Sequence, residues 1–286
     1  MQGARYGDTG KTACGTSKNQ EINGGGVSTL IEVRNVSKRF GRVLAVDNCS
    51  LKVEEGTITG LIGPNGAGKT TMFNMVAGAF APTFGTICLN GENVTGLPAH
   101  ELFERGLSRT FQIAQEFSNL TALENLMVVT GRKSEESLFD ACFRRGRVVR
   151  DELAGRRKAE EILKVLRLTH VRNERAGNLS GGQKKLLELG RVMMADPNVV
   201  LLDEVAAGVN RTLLNDLASV VETLNREKGL TFFVIEHDMD LIARLCDPVI
   251  VMAAGTVMVQ GPMAEIRKNP EVIEAYFGGA PVERAS

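Results

Sequence analysis

TITGLIGPNGAGKTTMFNMVAGAF, residues 57–80, is the stretch whose reading decides the fold. It opens as an apolar run and continues into G-x-x-x-x-G-K-[ST], at Gly63, Gly68, Lys69 and Thr70. It ends with Met72, Met75, Val76 and Phe80 at helical spacing, able to share one side. Strand, glycine loop, helix is the setting a phosphate-binding loop requires. The glycines let backbone N–H groups converge on phosphate oxygens, Lys69 sets a cation beside the β and γ phosphates, and the Thr70 hydroxyl can ligate Mg²⁺. GDTGKT at 7–12 is a poorer match, with no apolar strand before it and without the full spacing.

Outward from this loop the chain alternates strand and helix patterns. On the N-terminal side, LIEVRNVSKRF (30–40) and CSLKVEEGTITGLIG (49–63) read as half-buried strands, the second broken at Glu55-Gly56. Residues 1–28 are polar and glycine-rich, which predicts a disordered leader or a tag remnant rather than a secretory signal. On the C-terminal side a short strand is expected over Thr86 to Leu89, followed from about 98 to 176 by a charged, helix-patterned lobe inserted in the core. Its basic clusters, RRGR (144–147) among them, read as solvated helix faces. VVLLDE (199–204) and LTFFVIEH (230–237) are nearly continuous apolar runs, as in strands buried on both faces. Helices are predicted over 212–227, 239–246 and 270–277, with a hairpin turning near Gly255. The expected fold is α/β, a single domain over 29–279 with a short tail at 280–286.

Composition narrows the function classes. With 34 basic and 34 acidic residues the formal charge is zero, so nothing global favours a nucleic-acid partner. The five cysteines lack CxxC spacing, which predicts free thiols in a reducing compartment rather than a zinc site or a disulfide framework. No stretch approaches the roughly 20 apolar residues that span a bilayer.

Several further residues carry chemistry. VVLLDE ends in two acids, and carboxylates at the C-terminal edge of a parallel sheet lie where ligands bind. Asp203 suits Mg²⁺, and Glu204 suits a general base for water. His237 closes the next apolar strand in the same way and is suited to positioning a phosphate or the water. Gln112, in RTFQ (109–112), stands between core and lobe. LSGGQ (179–183) places Ser180 and the amides of Gly181 and Gly182 at the start of the helix QKKLLELGRVMMA, a second anion-receiving surface, with Leu186, Leu189 and Met193 as that helix's buried stripe.

Taken in order, GPNGAGKT, Gln112, LSGGQ, VVLLDE and His237 resemble the nucleotide-binding subunit of an ABC transporter, over about 30–279. The resemblance implies a P-loop NTPase core of ABC ATPase type with an antiparallel β subdomain and an inserted helical lobe. It implies ATP and Mg²⁺ as cofactors, with the nucleotide held by Gly63, Asn65, Gly66, Ala67, Gly68, Lys69, Thr70 and Thr71. Phe40 falls at the position that stacks on adenine, and Val46 at the apolar position lining the same pocket. Such subunits pair head to tail, so Ser180, Gly181, Gly182 and Gln183 would serve the partner's ATP. Glu204, His237, Gln112 and Lys69 become the catalytic set, and Thr70, Gln112 and Asp203 the metal set. Ala207 to Asn210 fall on the loop crossing the dimer interface, and 111–128 resembles the groove that receives a helix of the transmembrane partner.

A narrower resemblance is to the branched-chain amino acid importer ATPases. It rests on TFQIAQEFSNLTALENLMV, SGGQKKLLELGRVMMADP, EVAAGVN, IEHDMDLI and IRKNPEVIEAYFGG. It implies transmembrane permease subunits, a second identical or related ATPase subunit, and a periplasmic or extracellular substrate-binding protein in the same system without direct contact. It places the chain peripherally on the cytoplasmic side of the plasma (inner) membrane. Urea or amide importers and a lipopolysaccharide exporter belong to neighbouring groups. Two residues depart from the wider pattern: Val205 stands where proline is usual, and Asn210 where aspartate is common. Val205 leaves open a nucleotide-dependent assembly protein with little turnover. Cargo, and whether the working dimer pairs two copies or two chains, are not written in these residues.

Overall fold

The computed structural model describes residues 28–110, 116–129, 145–206 and 211–277. The chain divides into two compact units, one built from residues up to Leu102 and from Asp247 onward, the other from Phe103–Cys246.

In the first unit, β1 (Thr29–Phe40) pairs antiparallel with β2 (Val43–Glu54) and with β4 (Phe84–Leu89), and β4 pairs with the short β5 (Glu92–Asn93). Ile31 and Val33 turn one face of β1 inward by alternation, and a register shift at the left-handed Asn35 (φ 48°) lets Val36 be buried as well. β3 (Ile58–Ile62) lies parallel to β9 (Val249–Ala253), which turns at Gly255 into antiparallel β10 (Thr256–Gly261). All five residues of β3 are buried. The helices described wholly within this unit are α1 (Lys69–Val76), α8 (Met263–Ile266) and α9 (Pro270–Phe277). α2 (Ala99–Glu104) runs across the unit boundary.

In the second unit, β6 (Leu107–Arg109), β7 (Val199–Asp203) and β8 (Thr231–Ile235) form a parallel set with β7 in the middle. Every residue of β7 and β8 is buried, which is why both read as unbroken apolar runs. The α-helices among its described residues are α3 (Ala122–Met127), α4 (Arg145–Val165), α5 (Gly181–Met193), α6 (Arg211–Lys228) and α7 (Met239–Leu245). α5 buries Leu186, Leu189 and Met193 as its spacing predicts, together with Leu187. Its Gly190 lies so near Leu166 and Leu126 that a methyl group would fall 2.6 and 3.0 Å from them, so the helix crosses its neighbours closely there.

The fold is α/β as expected, and four details differ from the sequence reading. β2 begins at Val43, six residues before the expected Cys49, because the run Val43-Leu44-Ala45-Val46 shows no apolar–polar alternation and takes its strand geometry from pairing with Lys38 to Phe40 of β1. α1 stops at Val76, where Ala77 caps it and Gly78 turns left-handed, so Phe80 lies beyond the helix and packs edge-on against Phe40 at 5.4 Å. The buried residue completing α1 is Phe73. β6 was not foreseen, since three residues are too few to show a period.

Cys88 is disulfide-bonded, which corrects the expectation of a free thiol there, because sequence spacing does not report which cysteines meet in space. Cys49 and Cys246 are free and buried. Burial pushes the Cys49 thiol up to about 11 and the Cys246 thiol up to about 12, the latter helped by the nearby Glu236. At pH 8 roughly one Cys49 in a thousand is then thiolate. Iodoacetamide at pH 8 is expected to leave both unlabelled in the native chain and to label both after denaturation, as read by intact mass. Rapid native labelling of either would contradict this burial.

Candidate functional site

The phosphate loop lies in the first unit, between β3 and α1. Gly63 has φ +150°, and a Cβ there would sit 2.0 Å from the Met252 carbonyl oxygen on β9. Only glycine follows this path beside a backbone oxygen. Asn65 and Gly66 are exposed at the loop's crest, while Ala67 is buried and its N–H donates to the Pro64 carbonyl at 3.2 Å. Gly255, in the β9–β10 turn, donates its N–H to the Ala67 carbonyl at 3.1 Å and accepts the Asp47 N–H at 2.9 Å. Val46, fully buried, backs Gly68, whose added Cβ would approach it to 3.2 Å.

Lys69 is 5% exposed, and its Nζ donates to the carbonyls of Gly63 (2.6 Å) and Pro64 (3.0 Å), which curls the ammonium over the loop. Thr70 is exposed and Thr71 half-buried in the first turn of α1. Phe40, at the end of β1, is 46% exposed, with the Lys38 ammonium 5.1 Å from its ring centre.

The second unit gathers the acids and the histidine. Glu204 follows β7 with a left-handed φ of 46°, and its N–H donates to the Ile235 carbonyl of β8 at 3.0 Å. That extra rung sets the two strand ends side by side. His237 Nε2 lies 2.9 Å from Glu204 Oε1. Asp203 is 2% exposed and accepts a hydrogen bond from the Arg109 guanidinium of β6. Nothing in RTFQ assigns Arg109 a role; its pairing with Asp203 follows from β6 and β7 lying side by side.

Two further charged residues were missed. Glu236, 3% exposed, accepts the Ala206 N–H on Oε1 at 2.8 Å and the His237 N–H on Oε2 at 3.3 Å. Burial pushes its carboxyl above the usual range, partly offset by those two N–H donors. Lys185, on α5, donates Nζ to the Val205 carbonyl at 2.7 Å, and burial lowers its ammonium. The only sequence signal was adjacency, Glu236 before His237 and Lys185 two places beyond Gln183.

Ser180 caps α5. Its hydroxyl accepts the Gln183 N–H at 3.4 Å, while Gln183 Oε1 accepts the Ser180 N–H at 2.9 Å. Gly181 is open to its surroundings, whereas a Cβ on Gly182 would fall 1.4 Å from Leu213 of α6. Gln112 and the segment 207–210 lie outside the described residues. Among the described residues no cluster of three or more His, Cys, Asp or Glu side chains could hold a metal, and no helix is long and apolar enough to cross a membrane.

Against known proteins, residues 46–207 match the ABC transporter family, and residues 256–281 match the branched-chain amino acid ATP-binding cassette transporter family. The chain is 40% identical over 251 residues to the high-affinity branched-chain amino acid transport ATP-binding protein BraF of Pseudomonas aeruginosa, covering 88% of this chain and 98% of that protein. It is 37% identical over 251 residues to LivG of Escherichia coli, a protein of the same description, again over 88% and 98%. Among solved structures, an ATP-binding cassette of an ABC transporter in its ADP conformation superposes with a TM-score of 0.74 at 33% identity, over 87% of this chain and 99% of that one. The chain thus belongs to the ABC transporter family, as one of its ATP-binding subunits, which are ATPases.

Proposed function

We propose that this chain is the ATP-hydrolysing subunit of a branched-chain amino acid importer, held on the cytoplasmic side of the plasma (inner) membrane by permease subunits. The observation that carries the hydrolytic part is the Glu204–His237 hydrogen bond at the ends of two buried parallel strands. Similarity to BraF and LivG supports the cargo. A substrate-binding protein would deliver that cargo from outside without touching this chain.

In this reading Lys69 and the loop from Gly63 through Asn65, Gly66, Ala67 and Gly68 to Thr70 and Thr71 bind the phosphates, for which the glycine-only path at Gly63 and the curled Lys69 ammonium are suited. Phe40 stacks on adenine, whereas Val46, expected to line the same pocket, is fully buried behind Gly68 and would support the loop rather than touch the base. The exposed Thr70 hydroxyl and, separately, the Asp203 carboxylate oriented by Arg109 are each hard oxygen donors of the kind Mg²⁺ takes, and the family resemblance gives Gln112 the same role. Mg²⁺, when bound, neutralises phosphate charge. Glu204 accepts a proton from the attacking water, and His237 fixes the carboxylate and the γ phosphate. Ser180, Gly181, Gly182 and Gln183 contact the nucleotide of a second ATPase subunit, so closure of the pair depends on ATP.

The test is uptake of labelled leucine, isoleucine and valine by cells in which this chain is deleted and then restored. Uptake is expected to fall to background, to return with the wild-type chain, and to stay at background with Lys69→Met. Unchanged amino-acid uptake beside lost uptake of urea or short amides, or lost lipopolysaccharide export, would overturn the assignment of cargo.

A further inference from the structure

Glu204 holds a backbone conformation that non-glycine residues rarely adopt, at φ 46°. Such a conformation persists only where the surroundings over-determine it. The ladder bond from Glu204 N–H to Ile235 fixes the residue on one side. On the other, the chain turns through Val205 and Ala206, and this turn is gripped twice: Lys185 Nζ holds the Val205 carbonyl at 2.7 Å, and Glu236 Oε1 holds the Ala206 N–H at 2.8 Å. Glu236 uses its second oxygen on the His237 N–H at 3.3 Å, so one buried carboxylate ties the turn to the histidine that meets Glu204.

The residue between the two grips matters. Val205 stands where the wider pattern has proline, whose ring would stiffen the turn by itself. Valine supplies no such restraint on φ, and hydrogen bonds must provide it. Lys185 belongs to α5, the helix that Ser180 caps, so this grip also joins the LSGGQ helix to the residue after Glu204.

We propose that Glu236 and Lys185 are positioning residues for hydrolysis, clamping the Val205–Ala206 turn from two sides so that Glu204 stays against His237. This rests on Glu204 being the general base. Neither residue would touch ATP. Losing a clamp should therefore lower turnover without weakening nucleotide binding.

The experiment measures kcat and KM for ATP in the assembled transporter carrying Glu236→Gln, Lys185→Met or Glu204→Gln, with melting of each purified chain alongside. Glutamine keeps an acceptor for Ala206 but turns a donor toward the His237 N–H. Methionine keeps the length of Lys185 without its charge. The expected result is a fall in kcat on the order of 10²-fold for Glu236→Gln, and a smaller fall for Lys185→Met, with KM within about twofold. Wild-type kcat in both folded variants overturns the clamp, as does a loss that appears in KM alone. If Glu236→Gln does not fold, Lys185→Met decides by the same criterion. Inactive Glu204→Gln beside fully active clamp variants rejects this inference alone; active Glu204→Gln rejects the general-base assignment and the clamp with it.

Discussion

Replacing Glu204 by glutamine is expected to lower ATP turnover by about 10² to 10⁴-fold and to leave ATP affinity within about twofold. Glutamine is nearly isosteric and can still hydrogen-bond His237, so the 2.9 Å contact and the left-handed turn are retained while the proposed base is lost. The change would therefore appear in kcat. With hydrolysis blocked, ATP should accumulate in a closed pair of subunits, seen as a doubled mass in light scattering with ATP and a single mass without it. Turnover near wild type would remove Glu204 from the chemistry. Absent turnover with no ATP-dependent dimer would indicate that a different ATPase subunit completes the pair.

A comparable loss is expected from Gly63→Ala, by another route. Its Cβ would lie 2.0 Å from the Met252 carbonyl oxygen and 3.3 Å from the Ala67 Cβ, at φ +150°. Neither partner is the end of a flexible chain, since Met252 presents backbone from the buried strand β9 and Ala67 is itself in the loop. Backbone strain and overpacking together are put at about 3 kcal/mol or more. In a chain of this size that corresponds to a midpoint lower by about 6 to 12 °C. ATP binding, followed by a fluorescent nucleotide analogue, should fall below detection, because Lys69 takes its position from the Gly63 and Pro64 carbonyls. An alanine variant with wild-type melting and binding would mean that the loop shifts freely against β9.

What was legible in the sequence was what repeats or runs long. The five-residue strands β3, β7 and β8 are buried throughout, so their apolar runs stand out, and the 18-residue α6 shows its period over several turns. The loop motif carries its own spacing. Residues that act only through partners far away in sequence were not legible. Arg109 meets Asp203, and Lys185 meets the Val205 carbonyl, across chain separations that no local pattern reports. Phe80 was misplaced because the spacing continues past Val76 although Gly78 turns the backbone away.

The capping box at Ser180 and Gln183 has a consequence for timing. Because the two residues complete each other's hydrogen bonds, the first turn of α5 takes its shape from its own chain. Its rotational freedom is surrendered during folding rather than at the moment of encounter. An anion bound there, as proposed for the nucleotide of a second subunit, would meet a surface already ordered, so little of the contact energy would be spent on arranging the loop. Association with such a surface should be limited by how often two bodies collide in the right orientation, with no slow rearrangement afterward.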